Sequence, residues 1–450
     1  MTRMERARAT GLCLSSLLWA VAAGSQPLTV ERAVEIALAK NTQMVNARAS
    51  VLEARGGLYG AWAGVLPEIT ASWSRSLDRT KKASASQLFG TQSFISPPND
   101  QDTYSWGTTL QGTLGILDPA ALRSVSSARA GYKASNLSLK AARADVAFAT
   151  RRQYYEVVKA YHLVGVANAS AKLARDDERR VRALFEVGSV SRSDLLRAQV
   201  RTATSQLDSL TAYQNVVSQR IVLAQALAVA ETEMGEVDTL LTAEPHEYDE
   251  AELLADAGKK RPDLQAADAE VRSARAAASA AGLSRLPYVT LTGSAQFNPE
   301  QWGVRTILAT KQKGTSSSRA DMALHGTLAV NWDILNELRN ASRTSTAKAR
   351  VLRAEESRDA LRRNLEAEVH QALLTYREAL ERELVANRSY ESATENLKLT
   401  QQKYNVGSTT ILDLIDAQVS LTRAAADRVT ALATIRVAEA QLSRVRGQAE

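Results

Sequence analysis

The chain repeats itself. Residues 185–200, FEVGSVSRSDLLRAQV, and residues 404–419, YNVGSTTILDLIDAQV, match in register at Val, Gly, Ser, Asp, Leu, Ala, Gln and Val, at an offset of 219. A second pair, Asn41 to Thr70 and Arg261 to Thr290, aligns without a gap at an offset of 220. In it Ala47 falls on Ala267, Ala54-Arg55 on Ala274-Arg275, and Leu66-Pro67 on Leu286-Pro287. A chain of 450 residues would ordinarily hold two or three unrelated domains, but a duplication of this length requires one supersecondary unit to be built twice.

Each copy has the same order of elements. A helix comes first, over about Thr29–Gly64 and Asp249–Ser284, the second Ala-rich with apolar residues at three- and four-residue intervals. Pro67 and Pro287 stop it, because proline has no amide hydrogen and disfavours helix in the residue before it. Two-residue alternation then begins. Ile69, Ala71, Trp73, Arg75 and Leu77 face one way and Thr70, Ser72, Ser74 and Ser76 the other, and Tyr104 to Ile116 repeats the pattern on even positions. The second copy alternates over Val289–Phe297 and Met322–Trp332. The four segments have the length and two-faced character of transmembrane barrel strands, although alternation alone suits a soluble sheet with one wet face equally well. Two features favour the membrane: Trp73, Trp106, Trp302 and Trp332 lie in or beside these strands, where interfacial aromatics belong, and the joining segments Asp78–Thr103 and Asn298–Ala320 are long and polar like external loops.

Proline-free helical sequence follows the strands, over about Ala120–Phe185 and Ala341–Tyr404. Some 65 residues at ~1.5 Å each approach ~100 Å, longer than a globular domain needs. After the repeated motif a shorter helix follows, about Arg192–Ala228 and Ile411–Gly447, so the two short helices of a copy together match its long one. Only 5% of residues are aromatic, in keeping with long helices packed through small side chains.

The N-terminus has Arg3, Arg6 and Arg8, an apolar stretch from Gly11 to Ala23 and small residues around Ala22, the features of a secretory leader cleaved after Ala22 or Gly24. Leu12 before Cys13 is wrong for a lipoprotein signal, so no lipid anchor or disulfide is expected. The domains are then a signal peptide over 1–22, a first repeat over 23–228, a linker over 229–248 and a second repeat over 249–447. The formal charge of +7 includes three Arg and one Glu of the leader, and no basic tail or patch points to nucleic acid. No apolar run past the leader is long enough for a membrane helix, so any membrane entry must be by strands.

The repeated motif reads as a helical turn. Gly188 and Gly407 are suited to left-handed caps, Ser189 and Ser408 begin the turn back, and Asp194 and Asp413 lie where helix N-terminal amides favour a carboxylate. Asp416, three residues after Asp413, shares its helix face, and the first copy has Arg197 there. A solvated surface acid and an acid lining a lumen both fit. His162, His246, His325 and His370 are scattered, and no metal spacing, phosphate-binding glycine loop or nucleophilic cysteine is present, so an enzyme is not expected, nor any cofactor or metal.

The order of helix, Leu-Pro strand start, strand pair, long helix, aromatic-x-Val-Gly-Ser turn and Asp-Leu-x-x-Ala-Gln helix resembles the TolC-like outer membrane efflux proteins, or outer membrane factors, over nearly the whole mature chain. The resemblance implies a mixed α and transmembrane-β fold: a homotrimer whose four strands per protomer close a 12-stranded β-barrel in the outer membrane, continued by a long antiparallel α-helical barrel in the periplasm. Four strands leave two open edges, so closure needs other copies, although strand count alone does not choose between eight and twelve. By the same resemblance, Asp413 and Asp416 ring the periplasmic aperture, and Tyr404 with Asp194 belongs to its gate. Thr409 stands where those proteins have a gating Arg, which implies a more easily opened aperture or one held by Arg192 or other residues. The turns Val187-Gly188-Ser189 and Val406-Gly407-Ser408 would contact a periplasmic adaptor linked to an inner membrane transporter. The implied function is the passive exit duct of a tripartite efflux or type I secretion system, with cargo left open between drugs, metals and polypeptide. An exported coiled-coil or surface protein would explain the helices but not the matched strand pairs.

Overall fold

The computed structural model describes residues 27–82, 85–89, 92–96, 99–242, 245–307, 312–318, 321–334 and 336–447, with side chains described outside 81–105 and 298–321. The leader expected over 1–22 lies outside these residues. The elements run α1 (Val30–Lys40), α2 (Thr42–Ala63), β1 (Glu68–Lys82), β2 (Ala85–Phe89), β3 (Gln92–Ser96), β4 (Asn99–Leu117), α3 (Pro119–Glu186), α4 (Arg192–Leu227), α5 (Glu250–Lys260), α6 (Pro262–Leu283), β5 (Tyr288–Ile307), β6 (Gln312–Ser318), β7 (Asp321–Asn331), α7 (Glu337–Asn405) and α8 (Ile411–Val445).

Two expectations need correction. The first helix of each copy is broken, at Asn41 and at Arg261. At Asn41 the side chain donates to the Ala226 carbonyl at 2.8 Å and accepts from the Gln43 amide at 2.8 Å, so one residue ends α1 and starts α2. At Arg261 the following Pro262 opens α6, where a missing amide hydrogen costs nothing. The segments expected as loops between the strands also carry strand structure: β1 and β5 extend to Lys82 and Ile307, and β2, β3 and β6 lie within them.

The chain divides into two compact units. The first comprises residues up to Leu52, Ala134–Asp268 and Ser357 onward, and is helical. Its packing repeats at the sequence offset. Val146, Val157 and Leu223 are buried in one cluster and their counterparts Leu365, Tyr376 and Leu442 in another, with Ala33 and Ala37 of α1 answered by Leu253 and Ala257 of α5. Tyrosine moves within this scheme: Tyr154 lies opposite Leu373, and Tyr376 opposite Val157. Each buried hydroxyl reaches backbone, as a buried phenol must. The Tyr154 hydroxyl is 2.9 Å from the Leu28 and Asp238 carbonyls, and that of Tyr376 accepts from the His246 amide at 2.9 Å. The inter-repeat segment is therefore packed down, with Met234 and Val237 buried.

The second unit, Glu53–Lys133 and Ala269–Glu356, holds the sheet. β1, β4 and β5 pair antiparallel in that order, with β7 on the lower part of β5 and β6 on its upper part. The register carries the alternation across all strands. One row is Ala71, Leu110, Ala295 and Leu324, the next Trp73, Thr108, Phe297 and Met322, and another Leu114, Leu291 and Leu328, all on one face. The rows between them, such as Thr70, Gln111, Ser294 and His325, form a polar face. The apolar face is uncovered: Ile69 is 70% exposed and Leu324 71%. Helices of this unit approach closely through small residues, since the Ser127 hydroxyl donates to the Ser273 carbonyl at 2.9 Å and the Ser273 hydroxyl returns the bond at 3.0 Å.

Candidate functional site

The two repeated motifs form two helical turns in the first unit, each closed by the same backbone device. Gly188 and Gly407 adopt φ of 78° and 75°, a conformation that glycine enters without the Cβ penalty. The Ser189 amide donates to the Leu184 carbonyl at 2.8 Å and that of Gly188 to Phe185 at 2.9 Å; Ser408 and Gly407 repeat this with Lys403 at 2.9 Å and Tyr404 at 3.0 Å. These bonds satisfy the last carbonyls of α3 and α7 in a Schellman motif. The returning helices start in capping boxes, Ser191 with Asp194 and Thr410 with Asp413. Between cap and box the tips are apolar: Val187 is 74% exposed and Val406 79%.

The carboxylates of the two turns differ in surroundings. Asp194 accepts from the Ser191 hydroxyl at 2.7 Å and has Arg197 at 3.9 Å, so its charge is locally opposed. Asp413 accepts from the Thr410 hydroxyl at 2.6 Å, the Thr409 hydroxyl at 2.7 Å and the Thr410 amide at 3.0 Å. These bonds, the Thr410 hydroxyl first, hold its carboxyl down at about 2. Thr409 thus serves the carboxylate of its own turn. Asp416 is exposed one turn further along α8. The second turn presents two acids where the first presents an acid and a cation.

Tyr404 joins the turns. It packs against a cluster of Val181, Ala198 and Ile411, drawn from α3, α4 and α8. Its hydroxyl is buried without a hydrogen-bond partner among the described residues. Burial, and after it the nearby Asp194 charge, raises its pKa. The structure therefore brings Tyr404 and Asp194 together without a hydrogen bond between them.

Sequence reasoning missed a buried polar pair behind the turns. Asp177 of α3 accepts from the Gln418 side-chain amide of α8, with the two residues 6% and 3% exposed. Arg180 lies 3.4 Å from Asp177 and donates to Asn405 at 3.4 Å. Desolvation pushes the Asp177 carboxyl above its ordinary value. Asp177 is hidden in a charged run, yet it shares a helix face with Ala171, Ala174 and Val181, all buried, and that spacing was the available signal.

Of the aromatics, Trp73 and Trp106 stand on the exposed apolar face of the sheet, and Trp332 continues its alternation just past β7. Trp302 pairs with Tyr104, and its side chain lies outside the described residues. Among the described residues no group of three His, Cys, Asp or Glu could hold a metal ion, and no helix is long and apolar enough to cross a membrane.

The sequence profile of the outer membrane efflux protein family matches residues 33–229 and 253–448, one match on each repeat. Nodulation protein T of Rhizobium leguminosarum bv. viciae is 23% identical over 410 residues, covering 90% of this chain and 79% of that protein. Among solved structures, the CmeC outer membrane channel of Campylobacter jejuni superposes with a TM-score of 0.75 at 18% identity, covering 93% of this chain and 85% of that one. The outer membrane protein VceC of Vibrio cholerae superposes with a TM-score of 0.73 at 17% identity, covering 93% and 96%. The fold, two tandem repeats of helix and strand, is the one these channel proteins share.

Proposed function

The chain belongs to the outer membrane efflux protein family, and from that membership we propose that it is the outer membrane exit duct of a tripartite efflux or type I secretion system. The observation that carries this reading is the sheet's uncovered apolar face, laid out row by row from Ile69 to Leu328. In water such a face is costly, and in lipid it is at equilibrium. A sheet in lipid also cannot leave its edges unpaired, and β1 and β7 each have one partner strand among the described residues. Three protomers closing a 12-stranded barrel would pair β7 of one copy with β1 of the next.

The remaining roles follow from this placement. Trp73, Trp106, Trp302 and Trp332 sit at the levels where the barrel meets lipid headgroups. The helices stand in the periplasm, and their turns form the far mouth. There Asp413 and Asp416 of each copy make an acidic ring that attracts cations and resists anions. Tyr404 and Asp194 belong to the gate, with the partly buried Tyr404 side chain packed among the helices that carry both turns. The exposed Val187 and Val406, with Gly188, Ser189, Gly407 and Ser408, offer apolar tips to a periplasmic adaptor, which links the duct to an inner membrane transporter. Energy comes from that transporter, so the duct needs no cofactor.

Membrane fractionation of cells expressing the full chain tests the reading. A heat-modifiable trimer in the outer membrane fraction is expected; a soluble periplasmic monomer would refute it.

A further inference from the structure

At the foot of β7, where the apolar face ends, a groove of about 390 Å³ is lined by Arg285, Trp332, Asp333, Ile334, Glu337 and Lys348, among others. All of these belong to the unit that carries the sheet. Trp332 and Ile334 follow directly on the end of β7 and are 60% and 69% exposed, so the groove has an apolar rim next to Leu328 and Val330. The four charges are exposed, and none makes an ion pair among the described residues.

Two unpaired cations and two unpaired carboxylates beside an exposed tryptophan, at the rim of an apolar face, match a ligand with one charge of each sign and an apolar tail. A purely anionic ligand would meet the carboxylates, and a purely cationic one the Arg and Lys. Charge-assisted bonds from Arg285 and Lys348 suit a phosphate, and Asp333 and Glu337 suit an ammonium. Tryptophan favours the depth at which headgroup meets acyl chain.

We propose that this groove binds the headgroup of a zwitterionic phospholipid, phosphate on Arg285 and Lys348 and ammonium on Asp333 and Glu337, with the acyl chains lying along Val330 and Leu328. The proposal rests on the reading of the sheet as membrane-spanning. The full-length protein is reconstituted in nanodiscs containing equal phosphatidylethanolamine and phosphatidylglycerol, and retained lipid is identified by native mass spectrometry after release. Wild type is expected to retain phosphatidylethanolamine in preference. Arg285→Gln with Lys348→Gln, and separately Asp333→Asn with Glu337→Gln, are expected to lose that preference while still inserting with unchanged conductance. Should one double variant fail to insert, the other decides. Unchanged retention in the inserted variants, or equal retention of the two lipids by wild type, overturns the headgroup site and leaves the channel reading intact. Failure of wild type itself to insert overturns both, and is seen before any lipid is measured.

Discussion

Asp177 on α3 and Gln418 on α8 are joined side chain to side chain in a buried position behind the two helical turns. A carboxylate held there depends on its partner. Replacing Gln418 by Leu keeps the volume but removes the acid's buried amide donor and leaves it the Arg180 guanidinium at 3.4 Å, a loss of about 1–3 kcal/mol for a hydrogen bond to a charged group. Chemical denaturation followed by circular dichroism should read this loss, and Gln418→Glu should be at least as harmful, since it sets two acids face to face.

The same carboxyl makes stability depend on pH. Its folded pKa is raised by burial, against the opposing influence of Gln418, Arg180 on its own helix and Gln401 of α7, with Asp176 adding to the rise. A raised folded pKa means that the folded state binds the proton more tightly. The stabilisation is complete below the ordinary carboxylate pKa and is lost as pH rises through the folded value. Asp413 works in the opposite sense: its contribution is present above the ordinary value and fades as pH falls toward about 2. Thermal melts in mildly acidic and neutral buffer should therefore show a stability decrement toward neutrality that Asp177→Asn reduces.

Gly188 and Gly407 have room for a side chain but not the backbone for one. A Cβ at either position meets nothing within 4 Å, yet both have positive φ. Gly188→Ala and Gly407→Ala should each cost about 1–2 kcal/mol from left-handed strain alone. The melting temperature checks this; an unchanged value for both would mean that the turns relax into another conformation.

The two faces of the sheet should respond differently to charge. Leu328→Arg places a cation on the uncovered apolar face midway between the Trp73 row and Trp332, where it costs ~2–4 kcal/mol at mid-bilayer, whereas Thr327→Arg lies on the polar face. Recovery in the outer membrane fraction should fall for the first and persist for the second.

Much of this was legible in the chain. The duplication fixed the order of elements, Gly-Ser after a long helix marked both turns, and Leu66-Pro67 with Leu286-Pro287 marked the strand starts. What escaped was decided by tertiary contacts. The break at Asn41 lies inside favourable helical periodicity, and a side chain reaching a distant carbonyl, as from Asn41 to Ala226, has no local signature; the break at Arg261 did have one, the proline that follows it. The strands ran on into polar sequence because pairing partners, such as Gln101 opposite Arg305, extend a ladder whatever their side chains. Asp177 was obscured by charged neighbours, and only its spacing from Ala174 and Val181 marks it as inward-facing.

The gate account separates the turns by charge: Asp194 beside Arg197 in one, Asp413 and Asp416 together in the other. Planar-bilayer recording of the purified full-length protein under a salt gradient tests this most directly. The account predicts discrete conducting steps with a cation-selective reversal potential that moves toward zero in the Asp413→Asn, Asp416→Asn double variant. Absence of conductance from inserted protein, or an identical reversal potential in the double variant, would contradict it.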